Sequence, residues 1–325
     1  MHKTIFGAAL AGLLTLSGMA AAQEYPARAM TMVIPFAAGG PTDVLGRVIA
    51  ARMSEILGQQ VIVENVAGAG GMLGGDRVAR AAPDGYHFLL GTVGTQAQGQ
   101  TLYKKPLYNS VTDFVPVALI AEVPIVLIVR RELPVTNLRE FIAYAKTNQV
   151  QMTFGSAGPG SATHLGCLLT NHVLKLDTTH IPYRGTGPAM QDLVGGRIDF
   201  LCEIITTAKP QVDGGTVKAI AIMNNERSPA LPNLPTAPEQ GVKDLVAYTW
   251  NAVFLPKGTP EAIVKKLNAA IVAAKNTPAV RDRLQSLGAQ IVTDQRATPE
   301  YLAKFLPEEI AKWAAPIKAS GVTVD

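Results

Sequence analysis

The sequence predicts an α/β protein of two parallel-sheet domains joined by two crossover strands, with a ligand cleft between them. Three observations carry this prediction. A strand, glycine loop, helix, strand block occurs twice. Each block is followed by an isolated apolar strand placed where the chain would pass between domains. The 325 residues also exceed what one ordinary hydrophobic core holds.

In the first block, Met30 to Phe36 is an apolar run of strand length that enters Ala37-Ala38-Gly39-Gly40-Pro41-Thr42-Asp43, where proline suits a first helical turn. Val44, Leu45, Val48, Ile49, Met53, Ile56 and Leu57 then recur at helical spacing, Gly58 ends the helix, and Val61 to Val63 starts a second strand. A second glycine loop (Gly68 to Gly75), a short helix, the turn Pro83-Asp84-Gly85 and a strand from Tyr86 to Leu90 complete the block.

The second block repeats this order, not the residues. Met152 to Phe154 reads as strand, Gly155 to Ser161 as loop, and Leu165, Leu168, Leu169 and Val173 as one helix face. Thr178 to Ile181 is a strand, Gly185-Thr186-Gly187-Pro188 a loop, Ala189 to Val194 a short helix and Ile198 to Cys202 a strand. Val123 to Val129 and Tyr248 to Leu255 are the crossovers. Thr259-Pro260, Thr277-Pro278 and Thr298-Pro299 each place a capping residue before a first-turn proline, predicting three terminal helices packed on the first domain. The division is therefore a signal segment 1–22, a discontinuous first domain 23–125 plus 250–325, and a second domain 126–249.

Met1-His2-Lys3, an uncharged apolar run and Ala20-Ala21-Ala22 form a secretory signal pattern. The stretch from Ile5 to Met19 is shorter than the roughly 20 residues a spanning helix needs. Secretion permits one bridge between Cys167 and Cys202; two separately buried thiols are the alternative. The net charge of +4 is scattered, which argues against a nucleic-acid partner.

A strand that ends in a glycine loop at a helix N-terminus presents unpaired N–H groups and the positive end of a dipole, so it attracts carboxylate or phosphate. Two such loops opposed across a cleft would hold a small dianion. Walker A is absent because no Gly-Lys pair exists, and Leu73 occupies the third-glycine position of a dinucleotide turn counted from Gly68. Gly155-Ser156-Ala157-Gly158 lacks the first glycine of a nucleophile elbow, so Ser156 is expected to donate to a ligand. A hydrolase using Ser156 or Ser161 with His164 stays open, since triads are recognised by geometry. His87, His164, His172 and His180 make no metal motif, and neither a metal nor a cofactor is expected.

Thr92, Thr95, Tyr183, Arg184 and Glu203 each follow a predicted strand and are expected to line the cleft, with Arg184 a charge partner and Glu203 either accepting from a ligand or pairing with Arg184. Gly39 is expected to let the backbone approach the ligand, so that valine there would weaken binding. Asp43 is expected to stabilise its helix and not to touch the ligand.

The chain resembles the Bug family, periplasmic solute receptors of tripartite tricarboxylate transporters. The resemblance runs over nearly the whole chain after the signal segment, through Tyr25-Pro26-Ala27-Arg28, Val33 to Gly40, Val63-Glu64-Asn65, Gly68 to Gly71, Pro83-Asp84-Gly85-Tyr86 and Asp113 to Val117, and then through His180 to Gly185, Leu231 to Thr236 and Pro256 to Pro260. It implies a type II periplasmic binding protein fold, a periplasmic location, a monomer without catalysis, and delivery of an organic carboxylate to a membrane transporter. It also implies that one carboxylate is held by the loops matching Phe36, Ala37, Ala38, Gly39 and Gly40 and matching Ser156, Ala157, Gly158, Ser161 and Thr163. Thr92, Thr95, Tyr183 and Glu203 would then set selectivity. Many members carry Asp in place of Glu203 and often Lys in place of Arg184. A receptor presenting its ligand to a membrane sensor would use the same pocket.

Overall fold

A computed structural model describes residues 25–320 and 322–324, so the signal segment expected at 1–22 lies outside the described residues. The apolar run after Arg28 forms β1 (Met30–Ile34), and the glycine loop leads to α1 (Pro41–Leu57), whose Gly58 cap is left-handed. β2 (Val61–Asn65), α2 (Met72–Ala79) and β3 (His87–Thr92) follow. A π-helical turn at Gly94–Gln98 and a single helical turn, α3 (Gly99–Leu102), lead into β4 (Phe114–Arg130).

At 17 residues β4 is long enough to belong to both halves of the molecule. Beyond it lie α4 (Leu138–Asn148), β5 (Thr153–Ser156), α5 (Ala162–Leu174), β6 (Thr179–Pro182), α6 (Thr186–Val194) and β7 (Phe200–Ile204). Then come α7 (Ile205–Asp213), β8 (Val217–Ile222) and β9 (Tyr248–Pro256). The chain closes with α8 (Glu261–Asn276), α9 (Pro278–Ser286), β10 (Gln290–Ile291) and α10 (Pro299–Ser320). The sequence reading did not anticipate α4, α7 or β8.

The twin blocks fold alike. In the first lobe β1 lies between β2 and β3, all parallel; in the second, β5 lies between β6 and β7, again all parallel. Each third strand then pairs antiparallel with a crossover strand, β3 with β9 and β7 with β4. The parallel core of each lobe is thus three strands, and β4, β8, β9 and β10 extend it antiparallel. The crossover β4 runs through both lobes, pairing with β9 from Phe114 to Pro124 and with β7 from Ile125 to Val129.

α8 and α9 pack on α1, while α10 packs on β4, α3 and the π-helical turn. Trp250 and Tyr248 of β9 anchor α10 by donating to the buried carboxylate of Glu309, at 2.9 and 2.8 Å. Thr298 caps α10 as expected, accepting from Tyr301 N–H, whereas α8 begins one residue later than predicted because Pro260 is itself the cap. Among the described residues, no helix is long and apolar enough to cross a membrane.

Candidate functional site

The C-terminal ends of β1 and β5 face each other across the cleft, and the lobes meet there through glycine. Ala37 N–H donates to Arg184 C=O at 3.2 Å, and Tyr103 Oη donates to Pro159 C=O at 2.8 Å. A Cβ placed on Gly185 would lie 2.8 Å from Ala37 N and 2.9 Å from Ala37 Cβ, and one on Gly187 would lie 2.9 Å from Ala38 O. A Cβ on Gly94 would meet Gly160 O and Ala162 N at 3.1 and 3.0 Å. The approaches at Gly185 and Gly187 are closer than side-chain-bearing residues tolerate and that at Gly94 is tight, so glycine permits the closed arrangement.

Behind this seam lies a small cavity of about 20 Å³. The N-termini of three helices contribute to its wall: Gly40, Pro41 and Thr42 at α1; Ser161, Ala162 and Thr163 at α5; and Thr186 at α6. Phe36, Ala157 and Ile204 add apolar surface, and Thr92 and Thr249 come from the adjoining β3 and β9. Among the described residues, no charged side chain lines it. First-turn N–H groups have no intrahelical acceptor, so three positive dipole ends and a set of hydroxyls surround the space, an arrangement that binds anions without an arginine. The buried hydroxyl of Thr249 has no hydrogen-bond partner in the protein, and neither has Asn251 Nδ2 on the same strand face, whereas the buried Thr186 hydroxyl lies beside the Glu203 carboxyl and favours its charged form.

The local sequence explains the shape of each loop. Asp43, buried in the first turn of α1, accepts from Gly39 N, Arg47 Nε and Asn65 Nδ2, while Asn65 also donates to Phe36 C=O. Burial pushes the Asp43 carboxyl up, but the hydrogen bonds from Arg47, Gly39 and Asn65 outweigh it and hold the group below the usual range. On the other side, Ser161 caps α5 by accepting from His164 N–H at 3.2 Å and donates to Gly158 C=O at 2.7 Å. Thr163 Oγ1 accepts from Ala157 N–H.

Of the residues singled out from sequence, Phe36, Gly40, Thr92, Ala157, Ser161 and Thr163 line the cavity. The others stand elsewhere. Ala37 forms the seam, and Ala38 and Gly39 border an outer groove; a Cβ on Gly39 would meet nothing, so the expected steric effect of valine is replaced by strain at φ +80°. Thr95 Oγ1 is spent on Thr92 N and C=O. Ser156, fully buried, sits 2.7 Å from His180 Nε2 and accepts from Gly158 N, so its hydroxyl shapes the loop and does not line the cavity. Gly158 packs on Gly70 of the first lobe.

Tyr183 turns outward to donate to Asp192 at 2.7 Å, and Arg184 is exposed, offering its carbonyl to the seam. It has no ion pair with Glu203. Glu203 lies behind the cavity wall at 0% exposure; Oε1 accepts from Ile204 N and Thr207 Oγ1, and Oε2 has no partner. Burial pushes this carboxyl up to about 7, against the opposing hydrogen bonds of Thr207 and Ile204 and the nearby Thr186 hydroxyl. Thr42, Thr186 and Thr249 were missed. Thr249 carried a signal, since Thr249 and Asn251 are polar alternates in an apolar crossover strand.

Cys167 in α5 and Cys202 in β7 form a disulfide, with Cα atoms 5.4 Å apart. The His164 and His180 rings lie tilted against each other with centroids 4.2 Å apart, and Phe154 stacks on His180. Neither serine hydroxyl meets the His164 ring: Ser156 Oγ lies on His180 Nε2, Ser161 Oγ donates to Gly158 C=O, and His164 Nδ1 accepts from Gly160 N.

Burial holds the His164 imidazole down at about 3, helped by the neighbouring His180, and burial holds His180 at about 4. Both folded values lie below the ordinary 6.5, so the unfolded chain takes up protons first and stability is lost as pH falls below 6.5. Glu203 acts oppositely: its folded value is raised, so its contribution is full below about 4.5 and lost as pH rises through about 7. Two histidines outweigh one carboxyl. Unfolding free energy should therefore drop between pH 6.5 and 4.5, with His164 contributing up to about 1.4 kcal/mol per pH unit. Urea titrations across that range check this; Glu203→Gln should steepen the decline, and a flat profile in both proteins would refute it.

Comparison with known proteins adds a family to this geometry. Residues 45–322 match the tripartite tricarboxylate transporter family receptor. The periplasmic binding protein BugD is 40% identical with a TM-score of 0.90, covering 92% of this chain and 99% of its own. MatC from Rhodopseudomonas palustris, solved with bound malate, is 43% identical with a TM-score of 0.88, covering 90% and 100%. A second R. palustris protein, solved with adipate, is 34% identical with a TM-score of 0.88, covering 92% and 99%. The fold is thus the two-lobed periplasmic binding protein fold expected from the sequence.

Proposed function

The chain belongs to the tripartite tricarboxylate transporter receptor family, and we propose that it captures a small organic carboxylate, foremost a dicarboxylate, in the interlobe cavity and delivers it to a membrane transporter of that type. The observation that carries this reading is the convergence of three helix N-termini on a cavity without charged side chains, beside the unpartnered hydroxyl of Thr249. Malate in MatC and adipate in its R. palustris relative support the ligand class. In this reading residues 1–22 direct export to the periplasm, residues 23–125 with 250–325 move as one domain against 126–249, and the receptor acts as a monomer.

The site residues in this reading are Phe36, Gly40, Thr42, Thr92, Ala157, Ser161, Thr163, Thr186 and Thr249. A hydrolase is disfavoured because Ser156, although paired with His180, is wholly buried and neither residue lines the cavity. The test is thermal unfolding of refolded, ligand-stripped protein against malate, adipate, aromatic acids, acidic amino acids and phosphate esters. A true ligand at a hundred times its Kd contributes about 2.7 kcal/mol and raises the midpoint by several degrees. Shifts confined to carboxylates and diminished in Thr186→Val are expected. No shift with any carboxylate, or product release from an ester, would refute the reading.

A further inference from the structure

We propose that Tyr103, seated by C-terminal residues 322–324, is a positioning residue that holds the second lobe's glycine loop against the first and so sets how long a ligand stays bound. The inference rests on the interlobe site proposed above. Tyr103 follows α3 in the first lobe, and its phenol reaches across to donate to Pro159 C=O at 2.8 Å. Pro159 lies in the loop between β5 and α5, the same loop whose Ala157 and Ser161 line the cavity. The fit is close: a Cβ on Gly160 would lie 2.9 Å from the Tyr103 ring and 3.1 Å from Leu102.

What holds Tyr103 is the end of the chain. Val324 N–H donates to Leu102 C=O at 2.9 Å, Lys104 N–H donates to Val324 C=O at 3.0 Å, and Val324 bridges Tyr103 in parallel. The Val322 and Val324 side chains face a small apolar cluster that joins the lobes. Val322 and Val324 pack there with Ile317 of α10 against Leu102 of the first lobe and Leu165 of α5 in the second. A backbone paired to one lobe and an apolar face shared with the other form a strap beside the cleft.

Contacts that hold the lobes closed slow release more than they alter encounter, so they act mainly on the off-rate. Loss of one partly buried neutral hydrogen bond corresponds to roughly a threefold to tenfold change. Binding and release of malate and adipate by the full chain, by Tyr103→Phe and by a chain ending at Ser320 should show association rate constants within about twofold of one another. The off-rate should rise roughly threefold to tenfold in Tyr103→Phe and further in the shortened chain, which without ligand should also scatter with a larger radius of gyration. Wild-type off-rates in both variants would overturn the proposal. If the full chain binds neither acid, the reading of the cavity fails instead, and equal radii of gyration for ligand-free full and shortened chains would then overturn the strap. Tyr103→Phe, which removes one oxygen, keeps the test sound if the shortened chain does not fold.

Discussion

Gly185→Ala is expected to leave folding intact and to weaken ligand binding roughly tenfold to a hundredfold. Gly185 has φ 170°, extended backbone that any residue adopts, so alanine brings no conformational strain within its own lobe. The cost arises only on closure, when the new methyl would meet Ala37 N at 2.8 Å and Ala37 Cβ at 2.9 Å, atoms of the opposite lobe's loop. Overpacking a tight contact costs about 1 to 3 kcal/mol, which sets the expected range. Calorimetric titration beside an unfolding curve separates the two effects. Unchanged affinity would mean that ligand binds without this seam closing.

The second large effect concerns stability. The disulfide between Cys167 and Cys202 spans 35 residues and ties α5, which supplies Ser161, Ala162 and Thr163, to β7, which supplies Ile204. Closing a loop of that length removes about 4 kcal/mol of unfolded-state entropy. The double variant Cys167→Ala, Cys202→Ala should unfold roughly 10 °C lower, and reductant should lower the wild type similarly. A midpoint shift below about 2 °C in the double variant would contradict a closed bridge.

Much of this architecture was legible because its signals are local. The glycine loops, the first-turn prolines and the two apolar crossovers are each visible within a dozen residues, and periodicity located the helices between them. The same holds for Asp43, whose role as a helix and loop stabiliser follows from its place in a first turn.

What was not legible depends on partners distant in sequence. Ser156 looked like a ligand donor until the parallel pairing of β5 with β6, with Phe154 opposite His180, brought an imidazole to its hydroxyl. Tyr183 and Arg184 follow a strand that ends at the lobe's edge, so one side chain swings to Asp192 and the other into solvent. Glu203 does follow the expected strand pattern, but alternation cannot tell a side chain that lines a cavity from one packed behind its wall. Thr186 was hidden inside Gly185-Thr186-Gly187-Pro188, read as a loop, although it opens α6 and lines the cavity.

The most direct test of the account is the crystal structure of the refolded protein with malate or adipate. A carboxylate lodged among the N-termini of α1, α5 and α6, within hydrogen-bond distance of Thr186 and Thr249, is the predicted result. A bound acid lying outside that cavity, or held by an arginine or lysine side chain, would contradict it.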